Sequence, residues 1–518
     1  MAPPVAGRPR TRQRLENYMK TSGWIMMVIT YAMLLIPYLQ VLLPMLTTAP
    51  VARLPDLYVS GDAQCAPVPP TFVADPYGYV RDPATGETVQ APIACEDTRR
   101  IPSLGIAILS CDPGRIEWNT FLGPLTNATP RGALWILPYQ EKNATAQRLP
   151  IAQWPATNDF HPLGLGVYEQ APGAARLFVV NQRAAFTTIE VLDLVCHQGE
   201  CHATYVRSLA HPRATHTANS VYAVSPHAVL VTNSHLVARR APPRAQYVAA
   251  LSTKMPRILA VALHPVVRQP WIAPWLTKVD AFLGLGWVAH VAFDEAVRTP
   301  RQDAVRYAEG IRTRFVVRFM SFANGVAVTP DESALVVASS VRLGTYIFPL
   351  RVHDAQGHAD WTSRRLLGRW RWAPTPFLPD NIAIVPRTPG TTWAKDDPLH
   401  GASVLVAGHP SVAALERMAR HGTQRAPSWV VVQSYSHSGD TRDHADVYYA
   451  AERVMQSQRL QLRPRWQVRT VLQTKGQAVA ASAGAEWDDS SGVLLVSALY
   501  GSPLVCHYDK ASRARAWP

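Results

Sequence analysis

The segment SFANGVAVTPDESALVVASS, residues 321–340, has the pattern of a β-hairpin. Its valines first alternate with small residues, the two-residue period of a strand, and then form a short apolar run typical of a buried strand. Residues 329–333 form a turn, because proline fixes φ and Asp and Ser bond to the local backbone. The first strand is unusual, since it opens with the polar pair Asn324-Gly325.

The same hairpin pattern recurs five more times along the chain, which is the signature of a repeat architecture. The sixth copy, residues 478–497, has no polar opening. The pairs that open the other copies are Glu96-Asp97, Leu163-Gly164, Asn219-Ser220 and Asp380-Asn381. Six small sheets repeating around an axis predict an all-β fold, a six-bladed β-propeller, usually with four strands in each blade.

Polar side chains at the opening of the innermost strands should meet in the central channel, because equivalent positions of successive blades converge there. Two carboxylates and three carboxamides, with no Cys or His among them, suit a hard cation such as Ca²⁺, which takes about six to eight oxygen ligands. The alternative is that each residue merely caps its own strand. Their common phase in the repeat favours a calcium site formed by Glu96, Asn219, Asn324, Asp380 and Asn381.

Several short motifs resemble the paraoxonase/arylesterase family of calcium-dependent lactonases and esterases, which are six-bladed propellers. They follow the family's order from about residue 95 to residue 506, and they are CED at 95–97, LGLGW at 283–287, FANG at 322–325, PDNI at 379–382 and AGHP at 407–410. The resemblance implies hydrolysis of a small apolar lactone or aryl ester. The five channel residues would hold a Ca²⁺ that polarises the carbonyl while water attacks. Glu96 would therefore also be a catalytic residue.

The family's two channel histidines are replaced in this chain, by Leu163 and Gln182, so the general base is an open question. His161 is one candidate, because it lies two residues before Leu163 and would share its face in an extended segment. His409 is a second candidate, since it matches a family position, although the resemblance equally allows it a structural role. His235 matches a family position in the same way.

The resemblance also implies a second, structural calcium, for which this chain lacks one carboxylate because Ser220 replaces an Asp. Asp97 and the backbone carbonyl of Leu165 remain as possible ligands. The chain is therefore expected to bind one catalytic Ca²⁺, while the second site is in doubt.

The N-terminal segment has the pattern of a membrane anchor. Residues 1–20 form a basic tail, and no charged residue occurs from residue 21 to residue 52. The apolar core reaches the roughly 20 residues that cross a bilayer and exceeds the roughly 7–15 residues of a cleaved signal peptide, which is the alternative. We predict a transmembrane signal anchor at residues 21–47. The basic flank predicts a single-pass type II protein whose body lies in the secretory lumen or outside the cell.

Cysteines and glycosylation sequons support that location. Asn127 and Asn143 each begin an Asn-Ala-Thr sequon, and the six cysteines all lie beyond the anchor. Cys196 and Cys201, with two nearby histidines, could bind zinc, but an oxidising compartment favours a small disulfide loop. The resemblance implies that Cys65 and Cys506 join the two ends of the propeller, which leaves Cys95 and Cys111 as the third pair.

Composition describes an ordered globular chain, with 47% hydrophobic and 17% charged residues, and its 44 prolines argue for many loops. The net charge of +14 comes from runs in which Arg alternates with apolar residues, which indicates solvated outer strands and no nucleic-acid partner. We expect a stalk and first edge segment at 48–94, the propeller at 95–508 and a basic tail at 509–518. An insertion at 237–280 is either a lid over the channel, which could touch the membrane with its tryptophans, or a packed surface helix.

Two other functions remain open. The lost histidines favour a catalytically weak propeller that acts as a ligand-binding or scaffold module. The other alternative is a different propeller reaction, such as the condensation carried out by strictosidine synthase-like proteins. Calcium dependence of ester hydrolysis separates the hydrolase from both.

Overall fold

The computed structural model describes most of the chain beyond its N-terminal segment. The described residues are 56–68, 79–81, 88–90, 92–129, 131–155, 158–197, 199–240, 244–267, 269, 271–295, 308–386, 392–422, 425–435 and 466–509. They belong to one unit, Pro50–Pro518. The predicted N-terminal tail and anchor, and residues 510–518 of the predicted C-terminal tail, lie outside the described residues. Within the described ranges no helix is long and apolar enough to cross a membrane.

Six sheets form the blades of the predicted all-β propeller, and they are antiparallel apart from the short edge strand of blade 2. Blade 1 contains Cys95–Ile101, Ile106–Cys111, Ala133–Leu137 and Gln147–Arg148. Blade 2 contains Pro162–Ala171, Ala174–Gln182, Thr187–His197 and Glu200–Leu209, with Ile151–Ala152 at its edge. Blade 3 contains Ala218–Ser225, Ala228–Asn233, Gly286–Phe293 and Ile311–Met320.

Blade 4 contains Ala323–Val328, Ala334–Ser339, Gly344–Pro349 and Arg371–Pro374. Blade 5 contains Leu378–Val385, Ser403–His409, Ser428–Tyr435 and Trp466–Thr474, with Tyr58–Val59 at its edge. Blade 6 contains Ala480–Asp488, Val493–Tyr500, Leu504–Tyr508 and Ala63–Pro67. A separate hairpin pairs Tyr79–Arg81 with Thr88–Gln90. The first strands of successive blades contact one another in a closed ring, so they are the inner strands that line the channel.

Apolar runs form the middle strands because each blade is packed on both faces. In blade 5, Val404 and Val406 belong to the core shared with blade 4, whereas Leu405 and Ala407 belong to the core shared with blade 6. Side chains alternate between the two faces of a strand, so a strand between two neighbouring sheets needs apolar residues at every position. This is why the repeat appears in the sequence as short continuous apolar runs.

The N-terminal strand Ala63–Pro67 completes blade 6 by pairing with Leu504–Tyr508. Cys65 lies opposite Cys506 in this pair, and a disulfide joins them. Two further disulfides, Cys95–Cys111 and Cys196–Cys201, each join neighbouring strands of one blade. The three pairs coincide with those expected from the sequence, and the propeller is closed by strands from both ends of the chain.

The insertion in blade 3 is helical. It contains α1 (Arg244–Leu251), α2 (Arg257–Val267) and α3 (Ala273–Leu283). Tyr247 and Leu251 are buried in the core of blades 2 and 3, whereas Ile258, Trp271 and Trp275 are 83%, 77% and 62% exposed. The helices therefore pack on blade 3 and present an apolar outer face.

Helix α3 also reaches a helix of another blade. Lys278 Nζ lies 2.7 Å from Glu416 Oε1 of α4 (Val412–His421), which begins shortly after His409 in blade 5.

Both predicted sequon residues, Asn127 and Asn143, are exposed.

Candidate metal centre

Every inner strand is interrupted at the same place by a register shift. The residues left out of the regular pairing are Glu96, Leu163-Gly164, Asn219-Ser220, Asn324-Gly325, Asp380-Asn381 and Ala483-Gly484. A β-bulge turns side chains away from the regular alternation and is common beside functional sites. All five residues predicted to bind Ca²⁺ lie in these bulges.

Glycine lets the bulges of neighbouring blades approach each other. A Cβ atom on Gly164 of blade 2 would lie 2.5 Å from the backbone oxygen of Asn219 in blade 3. A Cβ atom on Gly325 of blade 4 would lie 2.6 Å from the backbone nitrogen of Ile382 in blade 5. Any side chain at these two positions would push the inner strands apart, so glycine keeps the ring of bulges narrow.

The side chains of the five residues are buried, with Asn381 1%, Glu96 2%, Asn219 4% and both Asn324 and Asp380 5% exposed. Four of their oxygens have no hydrogen-bond partner among the described residues: Glu96 Oε2, Asn219 Oδ1, Asn324 Oδ1 and Asn381 Oδ1. An unsatisfied buried acceptor costs about 1–3 kcal/mol. A hard cation bound by these oxygens would remove that cost, so the donor set fits Ca²⁺.

Serine hydroxyls fix the orientation of two carboxamides. Asn219 Nδ2 donates to Ser234 Oγ at 3.1 Å, and Asn324 Nδ2 donates to Ser340 Oγ at 3.2 Å. Each serine in turn donates to a backbone carbonyl of the next blade. Because the two serines hold the amide nitrogens, the Oδ1 atoms of Asn219 and Asn324 are the ones left unpaired.

Negative charge accumulates at the site. Burial, and then the neighbouring carboxylates of Asp97 and Asp380, raise the pKa of Glu96 well above its usual range. Glu96 Oε1 accepts a hydrogen bond from Asn381 Nδ2 at 2.9 Å, and Asp380 Oδ2 lies 2.8 Å from His409 Nε2. No group of three or more His, Cys, Asp or Glu side chains suited to a metal occurs in the described ranges. The channel set differs because three of its five members are carboxamides.

His161, the first predicted base, contacts other groups. Its Nδ1 lies 3.1 Å from Asp112 Oδ2 and its Nε2 lies 3.0 Å from the carbonyl oxygen of Ala128. Both ring nitrogens face oxygen acceptors, so neither offers a lone pair to a water molecule in the channel. The ring hydrogen bonds of His161 are thus with Asp112 and Ala128, and none of the five predicted calcium-binding residues is among its hydrogen-bond partners.

The positions of the two replaced histidines are occupied by an apolar side chain and by a carboxamide. Leu163 is buried in the apolar core of blades 2 and 3. Gln182 accepts a short hydrogen bond from the hydroxyl of Thr120 through its side chain, and its backbone oxygen accepts from Trp118 Nε1 at 2.9 Å. Neither position supplies a proton acceptor comparable to an imidazole.

The structure adds residues that the sequence did not indicate. Arg115 is buried, donates from Nη2 to the carbonyl of Pro162 at 3.2 Å and opposes the rise in the pKa of Glu96. The ring of Phe121 lies 5.8 Å from that of Phe322 and 5.5 Å from that of His235, so these rings form an aromatic cluster. Arg115 and Phe121 lie in the connection between two strands of blade 1, outside the repeated hairpin, so no repeat signal marks them.

The two possible ligands of a second calcium already contact a cationic side chain. Arg99 Nη2 lies 3.3 Å from Asp97 Oδ2, and Arg99 Nε donates to the carbonyl oxygen of Leu165 at 3.2 Å. Asp97 Oδ2 also accepts from the backbone nitrogen of Leu165 at 2.9 Å. This arrangement does not fit a second metal ion.

Comparisons with known proteins agree with these motifs. The arylesterase family model matches residues 96–242. Serum paraoxonase/arylesterase 2 of Gallus gallus is 22% identical over 267 residues, which are 52% of this chain and 57% of that protein. Serum paraoxonase/arylesterase 1 of Homo sapiens is 21% identical over 273 residues, 52% of this chain and 59% of that protein. The chain thus spans less than two thirds of the curated relatives that it matches.

Among solved structures, a gluconolactonase of Xanthomonas campestris is 13% identical, covers 87% of this chain and 99% of its own, and has a TM-score of 0.33. That score is too low to add to the fold described above. The family match and the two relatives confirm that this chain resembles the paraoxonase/arylesterase family.

Proposed function

We propose that this chain hydrolyses lactones or aryl esters with the help of a Ca²⁺ ion held in the channel by Glu96, Asn219, Asn324, Asp380 and Asn381. The observation that carries the proposal is the set of four buried oxygens, all in inner-strand bulges, that have no partner among the described residues. The resemblance to the paraoxonase/arylesterase family supports the class of reaction.

A Ca²⁺ ion in this set would polarise a substrate carbonyl and stabilise the negative charge that develops on its oxygen. The protein's own contribution is to hold the ligands in place. Serine hydroxyls fix two carboxamides, and Asn381 fixes one oxygen of Glu96. His409 holds Asp380 Oδ2, which leaves the other carboxylate oxygen for the cation.

Proton transfer is the weak part of the site. His161 faces two acceptors, and the family's histidines are replaced. In His409, Nε2 faces the Asp380 carboxylate and therefore carries the proton, so Nδ1 is the one ring atom able to accept another. General-base assistance contributes about 10²–10⁴-fold, so we expect slow turnover, with activated esters as the best substrates.

The aromatic cluster supports an apolar substrate. Phe121, Phe322 and His235 contact one another, and burial, followed by the charges of His216 and Arg239, lowers the pKa of His235 to about 3. His235 is therefore neutral near pH 7, and these three rings place no formal charge beside the substrate.

The scaffold alternative also has an observation in its favour. Leu163 is fully packed in an apolar core, and Gln182 is bound to Thr120, so both replaced positions look adapted to their new residues. A protein that binds calcium for stability alone would tolerate these replacements.

Hydrolysis of a panel of lactones and phenyl esters, with and without calcium, tests the proposal. We expect slow, calcium-dependent turnover in the wild type, its loss in Asn324→Ala, and no change in the control Gln356→Ala, whose side chain is exposed outside the bulges. Leu163→His combined with Gln182→His should raise the rate. Calcium binding without hydrolysis across the panel would favour the scaffold, and loss of activity in His161→Ala would identify His161 as the base after all.

A further inference from the structure

Arg99 reaches into the channel from the inner strand of blade 1, and its side chain is 15% exposed. Its guanidinium contacts groups on four blades. They are Asp97 Oδ2 of blade 1 (3.3 Å), the Leu165 carbonyl of blade 2 (3.2 Å), the Ile382 carbonyl of blade 5 (3.1 Å) and Glu486 Oε1 of blade 6 (3.0 Å). Blades 2 and 5 face each other across a six-bladed ring, so the guanidinium lies close to the channel axis.

The groups around Arg99 need a positive charge. Asp97 and Glu486 are 1% and 8% exposed, and two backbone carbonyls add their negative ends. Buried carboxylates without a counter-charge are strongly destabilising. Arg99 provides that charge, and Arg100 assists by contacting the second oxygen of Glu486 at 3.3 Å.

We propose that the Arg99 guanidinium is a built-in cation that takes the place of a second metal ion in this channel. The two groups left for such an ion, the Asp97 carboxylate and the Leu165 carbonyl, both contact the guanidinium. Ca²⁺ needs its oxygen ligands at about 2.3–2.6 Å, so the ion and the guanidinium cannot occupy this space together. Their positive charges would also repel each other.

The proposal has a functional consequence. Because the cation that joins opposite blades is part of the chain, the propeller stays assembled without calcium, and only the bulge site responds to the ion. This holds whether or not the protein is a hydrolase.

Replacement of Arg99 should expose the second site. We would measure calcium binding by calorimetric titration, and the melting temperature with and without calcium, in Asn324→Ala, which removes a ligand of the bulge site. Adding Arg99→Met should create a new calcium site and a calcium-dependent rise in melting temperature. The matched control Arg100→Met removes a neighbouring arginine that contacts Glu486 but has no described contact with Asp97 or Leu165, and it should create none.

A calcium ion that remains in Asn324→Ala and is lost on adding Asp97→Asn would overturn the proposal, as would an Arg99→Met variant that gains no site. If Arg99→Met does not fold, the test is the number of calcium ions bound by the wild type compared with the number bound by Asp97→Asn. Equal numbers support the proposal, and one fewer in Asp97→Asn contradicts it. Calcium binding only after Arg99→Met would refute the bulge site while supporting the built-in cation.

Discussion

His409 and Asp380 form a buried pair at the edge of the channel, 2.8 Å apart and each with a side chain 7% exposed. In the proposed calcium site, His409 would orient the Asp380 carboxylate without binding the metal itself. The pair is matched elsewhere by His400 and Asp331, also 2.8 Å apart, but about half exposed. A comparison of the two pairs therefore separates the effect of losing a His–Asp contact from the effect of losing it in the channel.

Replacing His409 with Ala should weaken calcium binding by about 10–100-fold, because partners of metal ligands typically contribute that much. The dissociation constant from a calcium titration is the measurement. His400→Ala is the control and should leave the constant unchanged. An unchanged constant in His409→Ala would show that Asp380 does not bind the ion through the oriented carboxylate.

Asp280 of α3 provides a pH-dependent contribution to stability. Its Oδ2 accepts hydrogen bonds from the backbone nitrogens of Leu236 and Val237, both at 2.5 Å, and burial raises its pKa to about 7. The unfolded carboxyl has a pKa of about 3.9, so between about pH 4 and pH 7 the folded state holds the extra proton. The free energy of unfolding should therefore fall as pH rises through this window.

Asp280→Asn should flatten that dependence, because a carboxamide does not ionise. Melting temperatures are the measurement. The melting temperature of the variant, relative to that of the wild type, should be higher at pH 8 than at pH 5. Asp294→Asn, at a position 52% exposed, is the control and should keep the wild-type slope. Equal slopes in wild type and Asp280→Asn would mean that Asp280 ionises normally in the folded state.

At the scale of the element, the inner-strand bulge explains why the sequence pointed to the five channel residues but missed their geometry. Polar residues recur at one phase of the repeat, and all five predicted residues lie in the bulges. A bulge depends on pairing between strands and leaves no mark in the single strand that contains it. The sixth copy shows the limit, because its inner strand runs from Ala480 to Asp488 and not from residue 478 to residue 481. Its bulge holds Ala483-Gly484, so no polar residue signals it.

The bulges also predict which glycines are irreplaceable. Gly164→Ala would place a Cβ 2.5 Å from the backbone oxygen of Asn219, whereas Gly166→Ala in the same strand would place it no closer than 3.2 Å to the nearest atom. Overpacking costs about 1–3 kcal/mol, so Gly164→Ala should lower both the melting temperature and the calcium affinity. Gly166→Ala should have the smaller effect on both. Similar effects would mean that the bulges do not touch.

At the scale of the whole molecule, closure joins residues far apart in the chain. Cys65 and Cys506 are separated by 441 positions, whereas Cys196 and Cys201 are separated by 5. A disulfide restricts the unfolded chain more when it closes a longer loop.

Cys65→Ala combined with Cys506→Ala should therefore cost about 2–5 kcal/mol in the free energy of unfolding. Denaturant unfolding of purified protein is the measurement. The control, Cys196→Ala combined with Cys201→Ala, should cost less because its loop is short. A larger loss in the control would show that closure is maintained by strand pairing alone.

The sequence indicated the propeller because the repeat is local, and the resemblance supplied the terminal disulfide. Contacts between distant blades could not be predicted. Arg99 is close to Asp97 in the sequence, but its other three partners lie on blades 2, 5 and 6. No local pattern connects those residues. The insertion at 237–280 was likewise open between a lid over the channel and a packed surface helix, because it lies outside the repeat.

Calcium titration of the metal-free protein tests the central claim most directly. We predict that the wild type binds one ion, that Asn324→Ala binds it at least about tenfold more weakly, and that Gln356→Ala binds it like the wild type. The unpaired oxygens of the bulges are the reason for the expected difference. A wild type that binds no calcium, or an Asn324→Ala variant that binds it equally well, would contradict the account.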